Sequence, residues 1–164
     1  MYIGVISDTH GHLDNKVFNY FEQVDEIWHA GDIGSLTVLE ELQKFKPLRA
    51  VYGNIDGGNI RQRIREYEIF QLESMSILLI HIAGKFGSYS PQIRELIALY
   101  KPTILVCGHS HILKIAFDNK HQLLYMNPGA AGNQGFHQVK TLVRFELLQA
   151  DIRKLEVIEL GQHS

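Results

Sequence analysis

Five short apolar runs in this chain each end in a small cluster of metal-ligand residue types, and that arrangement restricts the folds open to it. Residues 2–6 lead into Asp8-Thr9-His10, and residues 103–107 lead into Gly108-His109-Ser110-His111. Along an extended segment residues i and i+2 point the same way. Asp8 and His10 can therefore converge on one point, and so can His109 and His111. Gly31-Asp32, Gly53-Asn54 and His81 each follow an apolar run as well. Ligands delivered one strand end at a time require those ends to face one crevice, which is where open α/β sheets place their chemistry.

The spacing between the runs supplies the rest of the architecture. Residues 3–7 read as a buried strand, and 15–23 carry apolar side chains at helical spacing. Residues 26–29 read as a short strand. Leu36, Leu39, Leu42 and Phe45 form a helical stripe that Pro47 stops, and 48–52 read as a third strand. Strand, helix, strand, helix, strand at this spacing implies right-handed crossovers and a parallel sheet. The second half is richer in strands, with runs at 67–72, 75–82 and 103–107 and a helix over 90–100 that has Pro91 in its first turn. Two late hairpins follow, at 114–125 across Asp118-Asn119-Lys120 and at 141–160 across Gln149-Ala150-Asp151. Late antiparallel hairpins after an early parallel unit suggest a second sheet packed on the first. No linker, repeat or low-complexity stretch interrupts the chain, so residues 1–164 read as one domain.

Charge and cysteine content narrow the class of function. Sixteen basic and 18 acidic residues leave a formal net charge of −2, which gives no electrostatic footprint for nucleic acid or an anionic membrane. Cys107 is the single cysteine. It excludes an internal disulfide, suits a reducing cytoplasm, and reads as a buried structural residue within its apolar run. The opening residues carry no secretion signal, and no apolar run is long enough to span a bilayer. The expectation is a cytoplasmic protein.

The candidate ligands are Asp8, His10, Asp32, Asn54, His81, His109 and His111. Oxygen and imidazole donors without thiolate suit Mn, Fe, Co, Ni or Zn. Seven exceed what one ion takes, typically about four to six, and match two ions sharing a carboxylate. Asp8-Thr9-His10, Gly31-Asp32, Gly53-Asn54, His81 and Gly108-His109-Ser110-His111, in this order, resemble the motifs of the calcineurin-like metallophosphoesterases. With Asn127-Pro128-Gly129 and the chain's size, the similarity is to their small bacterial and archaeal branch, which is related to the Vps29 subunit of retromer. It covers residues 2 to about 132.

The resemblance implies an α/β fold of two β-sheets in a sandwich flanked by helices, four layers in the order α/β/β/α. It implies one metal on Asp8, His10 and His111 and another on Asn54, His81 and His109, with Asp32 bridging. Asp8, Asp32, Asn54 and His109 would be the catalytic set, with manganese the first expectation and iron, nickel, cobalt or zinc the alternatives. The implied reaction is hydrolysis of a P–O bond by a metal-bridging hydroxide. Two departures from the family pattern bear on the substrate. Ile55 follows Asn54 where a histidine is common, and His81 continues as Ile82-Ala83 rather than into a second histidine. Isoleucine cannot protonate a leaving group, help worth roughly 10²–10⁴-fold; His12 and Asp56 are the nearest substitutes.

These features favour a phosphodiesterase acting on a small phosphoester, with nucleic acid disfavoured and a homodimer through the late hairpins open. A different class is the alternative: a non-catalytic, Vps29-like protein-binding scaffold on the same fold. His121, His137 and His163 read as ordinary solvated or core histidines, and His29 as a structural one. Arg61, Arg63 and Arg65 read as a solvated face.

Overall fold

The computed structural model describes residues 1–163. Its first sheet has the order β12-β11-β1-β2-β3, formed by Asp151–Gln162, Val139–Leu148, Tyr2–Ile6, Glu26–His29 and Leu48–Ala50. β1, β2 and β3 run parallel, as the strand–helix alternation predicts, while β11 and β12 add antiparallel on the β1 edge. The second sheet has the order β4-β5-β8-β10-β9, formed by Tyr67–Leu72, Met75–Ile80, Ile104–Val106, Leu123–Asn127 and Lys114–Asp118. The last hairpin therefore belongs to the first sheet and not to the second. β11 pairs with β1 along its length because Val143 and Phe145 alternate inward beside Val5 and Ile3. Both sheets are mixed.

Side-chain alternation sorts the apolar residues into three packed layers. Ile3, Val5, Trp28, Ile77, Leu79, Ile104, Val106 and Phe145 fill the space between the sheets. Trp28 is fully buried there, edge-on to Phe70 and Phe145 with ring centroids 5.3 and 5.7 Å apart. On the outer face of the first sheet lie α1 (Lys16–Tyr20) and α2 (Leu36–Phe45), packed through Val17, Phe21, Leu39 and Leu42. A Cβ on Gly4 would stand 2.6 Å from the Phe21 ring, so glycine in β1 lets that ring lie flat on the sheet. On the outer face of the second sheet lies α4 (Pro91–Tyr100), through Ile93 and Leu96. The layers are helix, sheet, sheet, helix.

Local chemistry sets the helix ends. Ser35 caps α2 by accepting from the Val38 N–H, and Ser90 caps α4 by accepting from the Ile93 N–H, with Pro91 in the first turn. Lys101 adopts a left-handed conformation after α4, and Pro102 prevents its continuation. α1 spans only five residues of the 15–23 stretch, and its Asn15 forms no side-chain cap. Three short elements carry no periodic pattern in the sequence: α3 (Gly58–Arg61) and the paired two-residue strands β6 (Gly84–Lys85) and β7 (Ser88–Tyr89). No helix among the described residues is long and apolar enough to cross a membrane.

Candidate metal centre

The loops leaving the C-terminal ends of β1, β2, β3, β5 and β8 meet at one edge of the sandwich. Backbone hydrogen bonds stitch them together. Asp8 N–H donates to the Gly31 carbonyl at 2.9 Å, His10 N–H to the Asp32 carbonyl at 3.0 Å, and Gly108 N–H to the His81 carbonyl at 3.0 Å. Asp8, His10, Asp32, His109 and His111 all have positive φ, between 47° and 72°. That left-handed conformation turns each side chain back from the strand end toward the common centre. Gly53 is required for approach, because a Cβ there would collide with Asp32 Oδ1.

All seven candidate residues converge, in two groups. The ligand atoms of Asp8, His10 and His111 lie within 4.8 Å of one another, and so do those of Asp32, His81 and His109. In the first group Asp8 Oδ1 is 3.2 Å from His111 Nε2 and 3.7 Å from His10 Nε2. In the second, Asn54 Oδ1 stands 3.1 Å from His81 Nε2 and 3.0 Å from His109 Nδ1. Asp32 Oδ2 lies between the groups, 3.3 Å from His10 Nε2 and 3.2 Å from His81 Nε2.

For Asp8, Asp32, His81 and His111 the other polar atom is engaged elsewhere, which aims the remaining atom at the centre. Asp8 Oδ2 accepts from the Ser7 hydroxyl at 2.6 Å and the His109 N–H at 3.1 Å. Asp32 Oδ1 accepts from the Ile55 N–H. His81 Nδ1 donates to the Ala30 carbonyl at 2.7 Å, leaving the Nε2 lone pair facing inward. Asp8 Oδ1 and His10 Nε2 are buried with no hydrogen-bond partner. Buried acceptors that face one another unpaired are costly unless a cation lies between them. The donor set and these orphaned atoms fit a divalent metal.

Without such a cation the charges redistribute among the ligands themselves. Burial disfavours the Asp8 and Asp32 carboxylates, but the facing histidine imidazoles outweigh it and hold both well below the usual range. The Asp32 and Asp8 carboxylates beside it raise the His10 imidazole to about 9. Burial alone would depress His81, yet Asp32 and the Asp8 charge raise it. At His109 burial prevails, helped by the His81 charge, and its pKa falls.

Three surrounding residues differ from their sequence reading. His137 is not an ordinary solvated or core histidine. Its Nε2 donates to the Gly132 carbonyl at 2.7 Å and its Nδ1 accepts from His111 Nδ1 at 3.2 Å, so it orients that ligand. Asp56 is not available as an acid. Its two oxygens accept from the Ile33, Gly34 and Gly53 N–H groups, joining the loops that carry Asp32 and Asn54. Arg61 does not share the solvated face expected for it but folds against the Asn54 loop, its Nε donating to the Asp56 carbonyl at 2.6 Å. No sequence periodicity marks any of the three. His12 is exposed. His29 is structural, as expected: its Nε2 donates to Thr9 Oγ1 and its Nδ1 accepts from the Gly31 N–H.

Comparison with known proteins agrees with this geometry. Residues 1–150 match the calcineurin-like phosphoesterase superfamily domain. A probable metallophosphoesterase of Methanothermobacter thermautotrophicus is 33% identical, with 79% of this chain and 77% of that protein covered. A phosphodiesterase of Methanocaldococcus jannaschii is 27% identical, with 79% of this chain and 83% of its own length covered. Among solved structures, a Vps29 variant from Entamoeba histolytica superposes with a TM-score of 0.76 at 18% identity, covering 98% of this chain and 100% of its own. The fold, the convergent ligand loops and the match across most of its length place this chain in the calcineurin-like phosphoesterase superfamily.

Proposed function

We propose that this protein is a dinuclear metal-dependent phosphodiesterase acting on a small phosphoester. The observation that carries the two-ion reading is Asp32 Oδ2, which stands 3.2–3.3 Å from an imidazole nitrogen of each ligand group. One ion would be held by Asp8, His10 and His111, the other by Asn54, His81 and His109, with Asp32 common to both. Manganese is the first choice of metal, with iron, nickel, cobalt or zinc the alternatives that oxygen and imidazole donors without thiolate also suit. Bound there, two divalent ions would activate a water and neutralise charge on the phosphoryl oxygens.

The protein's own groups fix the geometry for that chemistry. Ser7, Ala30, Ile55 and His137 lock the ligands in orientation, and Arg61 backs the Asn54 loop with a cation. No proton donor follows Asn54, and Asp56 is fully engaged with backbone N–H groups. Esters whose departing oxygen is a weak base are therefore the better substrates. The phosphodiesterase of M. jannaschii supports the choice of diesters over monoesters. Location in the cytoplasm accords with a lone buried cysteine.

The test is hydrolysis of bis(4-nitrophenyl) phosphate by metal-stripped protein, with and without added Mn²⁺. Activity that needs the ion and is lost in Asp32→Asn is the expected result. Metal-loaded protein that cleaves neither this diester nor 4-nitrophenyl phosphate above the metal-only background would overturn it.

A further inference from the structure

A cavity of about 470 Å³ opens beside the Asn54–His81 edge of the metal centre, and those two residues form part of its wall. Binding pockets for small molecules run from roughly 300 to 1,000 Å³. This one has room for an organic group of nucleoside size. Its apolar wall includes Ile80 and Pro91, together with Ile82, which is 41% exposed although it directly follows a ligand. Ile82 therefore offers apolar surface that an organic group seated in the cavity would cover.

The rest of the lining is polar and braced. Arg61 lies over the Tyr52 ring at 4.5 Å while its guanidinium donates to the Asp56 and Gly53 carbonyls. No carboxylate pairs with it among the described residues, so its charge is free to meet an anion placed at the Asn54 loop. Glu66 and Gln92, which also line the cavity, are joined by a long 3.4 Å hydrogen bond from the Gln92 amide. A carboxylate there can only accept, which selects a ligand with hydrogen-bond donors at that edge.

We propose that this cavity is the subsite for the organic group of the ester, and that the group it takes is a nucleoside carrying an exocyclic amine. The phosphoryl group would sit at the metal centre within reach of Arg61. The sugar and base would cover Ile82, and the amino edge would face Glu66. This deepens the phosphodiesterase reading and rests on it.

Calorimetric titration of the Mn²⁺-loaded protein with adenosine 5′-monophosphate and with inorganic phosphate separates the two. Adenosine monophosphate is expected to bind at least about tenfold more tightly than phosphate, the scale of one or two hydrogen bonds with some apolar burial. Glu66→Ala and Ile82→Ser are each expected to remove most of that advantage, and both sites are exposed enough for the variants to fold. Equal affinity for the two ligands, with phosphate binding still dependent on metal, overturns the nucleoside subsite alone. So does an advantage untouched by both substitutions. Absence of any phosphate binding to metal-loaded protein overturns the reading of the centre and the subsite with it.

Discussion

In the Asp8–His10–His111 group the inward atoms of two ligands lack any hydrogen-bond partner, whereas in the Asp32–His81–His109 group Asn54 already stands within hydrogen-bonding distance of both imidazoles. Exposure is uneven within each group: Asp8 is fully buried and its histidines are half-buried, while Asp32 and His81 are buried and His109 and Asn54 face solvent. Both halves turn acceptors toward one another, Asp8 Oδ1 beside His10 Nε2 in the first and the His81 Nε2 lone pair beside Asn54 Oδ1 and Asp32 Oδ2 in the second. On the two-ion reading, the first half takes the tighter, more slowly exchanging ion, and the second is where substrate and solvent enter.

Asp32→Asn strikes both halves at once. Hydrolysis of the nitrophenyl diester is expected to fall on the order of 10³-fold, the upper end for losing one preorganised charge-stabilising group. Metal titration of the variant should show both affinities weakened. A loss confined to one ion would dissolve the idea of a shared carboxylate.

The support beneath the two halves is common to them, and His29 tests it. His29 holds the loop of Asp8 through Thr9 and the loop of Asp32 through Gly31. Burial lowers its pKa to about 4, and a proton on Nδ1 would oppose the Gly31 N–H. An unfolded histidine titrates near 6.5, so the stability this residue confers is complete above that pH and is lost as pH falls from 6.5 toward 4. The shift corresponds to about 3 kcal/mol. Denaturant titrations across that window should show the loss in wild type and its near absence in His29→Asn.

His137→Ala separates the halves, since only His111 leans on it. Affinity at the first site should fall about 10–100-fold, as is usual when the group orienting a metal ligand is removed, with the second site little changed. Equal weakening of both would erase the distinction. A smaller effect concerns protons. With its pKa raised to about 9 by the neighbouring Asp32 and Asp8 carboxylates, His10 holds a proton at neutral pH that an incoming ion must displace. Affinity at the first site should therefore weaken by about tenfold for each pH unit below 9. Calorimetry in buffers of different ionisation enthalpy reads the released proton directly.

The ligand loops were legible in sequence because each follows an apolar run whose strand end can be read locally. The i and i+2 rule did not give their internal geometry: Asp8, His10, His109 and His111 are left-handed rather than extended, and His109 and His111 go to different ligand groups instead of one point. What could not be read depends on long-range pairing. His137 reaches His111 only because the following strand, β11, docks on β1 and pulls residues 129–138 across the ligand loops. The same docking assigned the last hairpin to the first sheet. Arg61 sits in a run of alternating charge that carries no sign of direction. Arg63 meets Glu40 at 3.9 Å near solvent, while α3 turns Arg61 toward the centre.

The left-handed backbone at Asp8, His10, Asp32, His109 and His111 has a consequence for how such a protein tolerates change. Each of these non-glycine residues occupies a sparsely populated conformation, at a cost on the order of 1–3 kcal/mol that surrounding packing must outweigh. Glycine would adopt the same turns without that cost. Glycine at His10 or His111 would relieve that strain but raise the entropy of the unfolded chain and remove an imidazole from the centre, so these positions cannot trade strain for stability without dismantling the ligand group.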